Sequence, residues 1–92
     1  NKRYLSKDID QEFLNILKKG KNLEGKELSH REKEVLQLIA EGNSSKRIGE
    51  ILFLSPKTVD VHRNNIMKKT DLYSIPELTK YAIQKGLTTL EI

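Results

Sequence analysis

Along this chain, segments with apolar residues at helical spacing alternate with short polar breaks rich in Gly, Asn and Ser. In DIDQEFLNILK, residues 8–18, Ile9, Phe13, Ile16 and Leu17 fall at helical spacing, and Ser6 or Asp8 is placed to cap the first turn. The pattern lapses in KGKNLEGKE at 19–27, where Gly20, Asn22 and Gly25 among charges read as a linker. The expected division is an N-terminal arm and linker over 1–27 and a compact unit over 28–92.

Four helices are expected in the compact unit. In LSHREKEVLQLIAE, residues 28–41, Ser29 and Glu32 fit a capping box and Leu28 a hydrophobic staple, while Val35, Leu36, Leu38, Ile39 and Ala40 supply an inward face. Gly42 and Asn43 end that helix. Ser44 or Ser45 caps the next, whose inward set is Ile48, Gly49, Ile51 and Leu52. Glycine costs helix propensity, so Gly49 is expected where a neighbouring helix or backbone comes close. Ser55 and Pro56 then form a cap and a proline that needs no amide partner, which starts a third helix running to about Thr70. Ser74 caps a fourth over 75–85, with Leu78, Tyr81, Ala82 and Ile83 giving apolar faces and Gly86 ending it. The terminal TTLEI has no strand partner to satisfy its backbone and is expected to pack as an extended end. The fold class is all-α.

Charge changes this picture. Residues 46–69 hold six basic side chains, Lys46, Arg47, Lys57, Arg63, Lys68 and Lys69, against Glu50 and Asp60, and that +4 equals the formal charge of the whole chain. A pI near 9.4 suits a polyanionic partner. The absence of Cys excludes disulfides, thiolate catalysis and cysteine metal sites, and His30 and His62 are too few for a zinc site. No cofactor, metal or catalytic residue is expected. With no apolar run near about 20 residues and no hydrophobic segment at the start, membrane insertion and secretion are not expected, and a cytoplasmic setting fits. The opening at Asn1 rather than Met suggests a processed chain or a piece of a larger protein.

The third helix of the compact unit has two faces. Val59, Ile66 and Met67 fall on its core side, and Lys57, Thr58, Asp60, Val61, Asn64 and Lys68 can project toward a partner. The DNA major groove admits one helix, where Asn pairs with adenine and Val methyls meet thymine, so Asn64 and Val61 are candidate base contacts. Asp60 is a third, either accepting from a cytosine amine or orienting a nearby basic side chain. Lys46, Thr58, Lys68 and Lys69 are candidate phosphate contacts. Arg47, Lys57, His62 and Arg63 are further candidates. For Arg63 the alternative is to lay its stem over the fourth helix. His62, without a nucleophile or carboxylate pair beside it, reads as structural or phosphate-facing.

These strings, LSHREKEVLQLIAEG at 28–42, SSKRIGEILFLSPKTVDVHRNNIMKKT at 44–70 and SIPELTKYAIQKGL at 74–87, resemble the LuxR/FixJ-type DNA-binding domain. The resemblance implies a four-helix unit whose second and third helices form a helix-turn-helix, whose third enters the major groove and whose fourth supports dimerisation. It places Asp60, Val61 and Asn64 at base-reading positions and Lys46, Thr58 and Lys69 at backbone-contact positions. Glu32 would be architectural, capping its helix and meeting the basic core of the motif. Arg47 and Gly49 depart from the acidic residue and alanine usual in the family. KRYLSKDI upstream resembles the connector after the receiver of FixJ/NarL-type response regulators, which implies an output domain under receiver control. Expected partners are duplex DNA, a second copy through Ile75, Leu78, Lys80 and Tyr81, a receiver domain and RNA polymerase. The competing expectation is a protein-interaction or dimerisation module without specific DNA recognition.

Overall fold

A computed structural model describes residues 10–19 and 27–88, with the arm's side chains described as far as Ile16. Its five helices are α1 (Gln11–Lys19), α2 (His30–Ala40), α3 (Ser45–Leu52), α4 (Pro56–Thr70) and α5 (Ile75–Gln84). The fold is all-α: four helices build the compact unit, and α1 adds an N-terminal helical segment against α4. Ser6, Asp8 and the end of the TTLEI tail lie outside the described residues. Asp10 caps α1 instead, its carboxylate accepting from the Phe13 amide at 2.8 Å.

Each helix of the unit begins on a serine that satisfies open first-turn amides. Ser29 accepts from the Glu32 amide and Glu32 answers to the Ser29 amide, the reciprocal box the sequence implied. Ser44, rather than Ser45, caps α3, and Ser55 and Ser74 cap α4 and α5, each followed closely by proline in the latter two. The core is small: Val35, Leu36, Ile39, Ile48, Val59, Ile66, Leu78 and Ala82 are buried together. Leu28, Leu38, Ala40, Leu52, Met67 and Tyr81 pack around it, half-buried. Ile51 departs from the expected inward set and is 38% exposed, because the eight-residue α3 turns its buried side through Ile48 and Gly49.

Only Phe53, Leu54 and Ser55 separate α3 from α4. Phe53 takes the left-handed conformation, φ 62°, and leaves its ring 92% exposed. A bulky residue seldom adopts that conformation, and here it lets the chain reverse and the Leu54 amide return to the Gly49 carbonyl at 2.8 Å. Gly49 serves the close approach: a Cβ there would stand 2.5 Å from the Leu54 carbonyl oxygen. Gly49→Ala gains about 1 kcal/mol of helix propensity but forces backbone apart at a cost of about 1–3 kcal/mol. The expected net result is a lower urea midpoint at unchanged slope, read by circular dichroism.

Candidate nucleic-acid interface

Helix α4 is held from within by Val59 and Ile66, both fully buried, and this fixes which of its faces are left over. Residues spaced by four, seven and eleven share a helical face. One such stripe, Lys57, Val61, Asn64 and Lys68, stays open: the two lysines and Asn64 are exposed and Val61 is half-buried between them. Lys46 and Arg47 lie exposed at the start of α3, with Arg47 paired to Glu50 at 3.2 Å. Cations, an amide and a branched apolar side chain thus share one accessible surface.

On the α3 side, Asp60 accepts from Ser45 Oγ at 2.6 Å, Arg63 donates to the same hydroxyl at 2.8 Å, and Asp60 and Arg63 stand 3.8 Å apart. Asp60 thus meets a neighbouring cation through the Ser45 hydroxyl and remains exposed. Arg63 is turned inward, its Nε buried without a partner, and does not present its guanidinium freely on the open stripe.

The opposite flank, Thr58, His62 and Lys69, is one residue round from the open stripe, and its side chains are engaged within the fold. Thr58 is fully buried, its hydroxyl donating to Asp10 at 2.9 Å, which corrects its expected place as an accessible phosphate contact while the arm is docked. His62 is 5% exposed, with Nε2 against the Glu12 carboxylate, so its structural reading replaces the phosphate-facing one in this arrangement. Lys69 is likewise corrected: its ammonium meets Glu32 at 2.7 Å and the Glu27 carbonyl at 3.2 Å, with only 11% of the side chain exposed. Glu32 fulfils the architectural role expected of it. Leu78, expected at a dimer contact, is fully buried and closes the core, whereas Ile75 and Lys80 are exposed and Tyr81 is half-buried with Lys85 over its ring.

Asp10 and Glu12 were not singled out in the sequence, although the alternating acids Asp8, Asp10 and Glu12 in a basic chain are the signal that marks them. Asp10 also accepts from the Ser55 amide at 3.0 Å. Burial raises its pKa, but hydrogen bonds from Ser55, Phe13 and Thr58 outweigh this and hold the carboxyl below the ordinary aspartate value. Glu12 also pairs with Arg31 at 3.1 Å. Among the described residues, no group of three or more His, Cys, Asp or Glu is arranged to hold a metal ion. None of the described helices is long and apolar enough to cross a membrane.

Residues 26–82 match the family model for bacterial regulatory proteins of the luxR family, well over half of the chain. The chain belongs to the LuxR family. It is similar to the response regulatory protein YgeK of Escherichia coli (strain K12), 52% identical over 64 residues that are 70% of this chain and 44% of YgeK. It is also similar to the oxygen regulatory protein NreC of Staphylococcus haemolyticus and of Staphylococcus carnosus, 55% and 53% identical over 60 residues, 65% of this chain and 28% of each relative. The chain thus spans less than half the length of these relatives. Family membership makes the unit a DNA-binding helix-turn-helix domain of the LuxR type, homologous to the corresponding part of these regulators.

Two outcomes follow for this LuxR-family domain. Lys69→Met leaves the Glu32 carboxylate, 6% exposed, without its countercharge, and stability is expected to fall by about 3–5 kcal/mol in denaturant melts, whereas Lys68→Ala is expected to leave it within about 0.5 kcal/mol. The Asp10 contact has the sign of a depressed carboxylate. It contributes fully above the ordinary aspartate range and is lost as pH falls through the lowered folded value. The Ser55 amide resonance is expected to stay at its docked position from neutral pH down through that range and to move only below it.

Proposed function

We propose that this domain reads duplex DNA by laying α4 in the major groove, with Asn64 and Val61 at base edges and the exposed edge of Asp60 beside them. Lys46 and Lys68 meet phosphates, joined by Lys57 and Arg47, and Thr58 and Lys69 are available there only if their present partners move. The observation that carries the reading is the open stripe of Lys57, Val61, Asn64 and Lys68 on a helix whose other sides are anchored. The groove accepts one helix of this diameter and offers Asn a bidentate partner in adenine. The proposed division leaves 28–92 as the DNA-binding unit and 1–27 as arm and linker. In a full-length protein we place it in the cytoplasm, downstream of a receiver domain, with RNA polymerase as a further contact.

Pairing through α5 suits the same purpose. Ile75, Lys80 and Tyr81 remain accessible on it, and two-fold pairing would set two α4 helices on successive half-sites. A partner-binding module without DNA specificity draws on that same accessible surface, and the experiment separates the two. Selection from a random duplex library is expected to enrich a two-half-site sequence. On a panel of its variants, Asn64→Ala is expected to relax one base preference worth roughly 1–3 kcal/mol. Lys68→Ala is expected to weaken all variants alike and reduce the salt slope by about 1. Sedimentation should show two copies per duplex, and Ile75→Ala with Tyr81→Ala should uncouple them. No enrichment at low salt would sink the DNA reading, and an unchanged preference profile would remove Asn64 from it.

A further inference from the structure

The arm helix packs against one flank of α4. Asp10 sits at the entrance of α4, where its carboxylate takes the Ser55 amide and the Thr58 hydroxyl. Those are the kinds of donor, at a helix N-terminus, that hold a backbone phosphate. Glu12 continues along the same flank, against His62 on α4 and Arg31 on α2. We propose that α1 is an autoinhibitory arm: its two carboxylates stand in for phosphates on the Thr58 flank of α4, so arm docking and groove entry exclude each other. This rests on the reading of α4 as the groove helix.

Size and charge both support the exclusion. The major groove is about 12 Å wide and takes one helix, whereas two packed helices lie about 8–10 Å apart axis to axis and present nearly twice that width. The covered flank is one residue round from Lys57, Val61, Asn64 and Lys68, so α1 lies beside the open stripe rather than behind it. A phosphate strand along this flank would also meet Asp10 and Glu12, two like charges at close range.

The dock is built to open. At nine residues α1 is shorter than a helix that stands alone in water. Among the described side chains of the arm, Phe13 and Ile16 are only half-buried and Leu14 is exposed, so these three hold it down with little apolar surface. Helix α4 does not need the arm for its own start, since Ser55 Oγ already accepts from the Thr58 amide at 3.1 Å. Releasing Asp10 therefore frees two donors at the helix entrance without uncapping the helix.

The test uses the whole chain. Asp10→Asn with Glu12→Gln removes both charges while Asn still caps α1, and Glu41→Gln, an exposed acid at the far end of α2, removes a charge elsewhere. The chain has no Cys, so Asn15→Cys with Gln84→Cys, both exposed, admits a donor and acceptor dye that report the distance between arm and α5. On the enriched duplex, the Asp10/Glu12 variant is expected to bind roughly fivefold or more tighter than the parent, within the usual span of coupled equilibria. Glu41→Gln is expected to change affinity by less than about twofold, as one distant screened charge should. Saturating duplex is expected to lower energy transfer in the labelled parent as the arm leaves. Equal gains in the two charge variants, or unchanged transfer at saturation while the parent binds with its base preference, would overturn the arm proposal and leave the DNA reading standing. If no variant binds any duplex, the DNA reading fails and the proposal falls with it.

Discussion

The Glu32 carboxylate is the point on which the geometry of the domain turns. One oxygen accepts from the Ser29 amide at 2.8 Å and from the Lys69 ammonium at 2.7 Å, so the start of α2 and the end of α4 are tied through a single group. Both side chains are nearly buried, and removing one charge would leave the other unpaired in a poorly solvated site. Core packing of Val59 and Ile66 sets the depth of α4, and the ion pair sets its far end. Ser55 and the left-handed turn at Phe53 set its near end. A helix pinned at both ends and along one side can present its remaining surface in a constant orientation, which reading a groove requires.

That remaining surface is divided by a step of one residue. Lys57, Val61, Asn64 and Lys68 face outward, while Thr58, His62 and Lys69 are taken up by Asp10, Glu12 and Glu32. Cations adjacent in sequence therefore do different work. Lys68 is exposed and available to a polyanion, whereas Lys69 neutralises an internal carboxylate. Arg63 is spent in part on Ser45 across the α3 junction. The concentration of basic residues in 46–69 overstates the charge the surface offers, because part of it serves the interior.

The arm places a second demand on the same helix. The Asp10 carboxylate takes two donors at the α4 entrance, the Ser55 amide and the Thr58 hydroxyl. In this arrangement a nine-residue helix engages Thr58 and His62 along one flank of α4.

Local physical chemistry made most of the fold legible in the residues themselves. Serine caps, prolines at first turns, the Ser29 and Glu32 box and the spacing of Val35, Leu36, Ile39, Ile48, Val59 and Ile66 act over three or four positions, where sequence order and spatial neighbourhood coincide. Gly49 was legible for the same reason, since the backbone it admits is five residues away. The open face of α4, with Asn64 and Lys68 outward, also follows from periodicity once its core side is known. Only the tertiary structure decided which neighbours of that face are covered. Asp10 and Thr58 are 48 positions apart, Glu12 and His62 are 50, and Glu32 and Lys69 are 37. Helical spacing says which side of a helix a residue occupies, but not which distant charge reaches it. For this reason Thr58, His62 and Lys69 look available in the sequence and are enclosed in the fold.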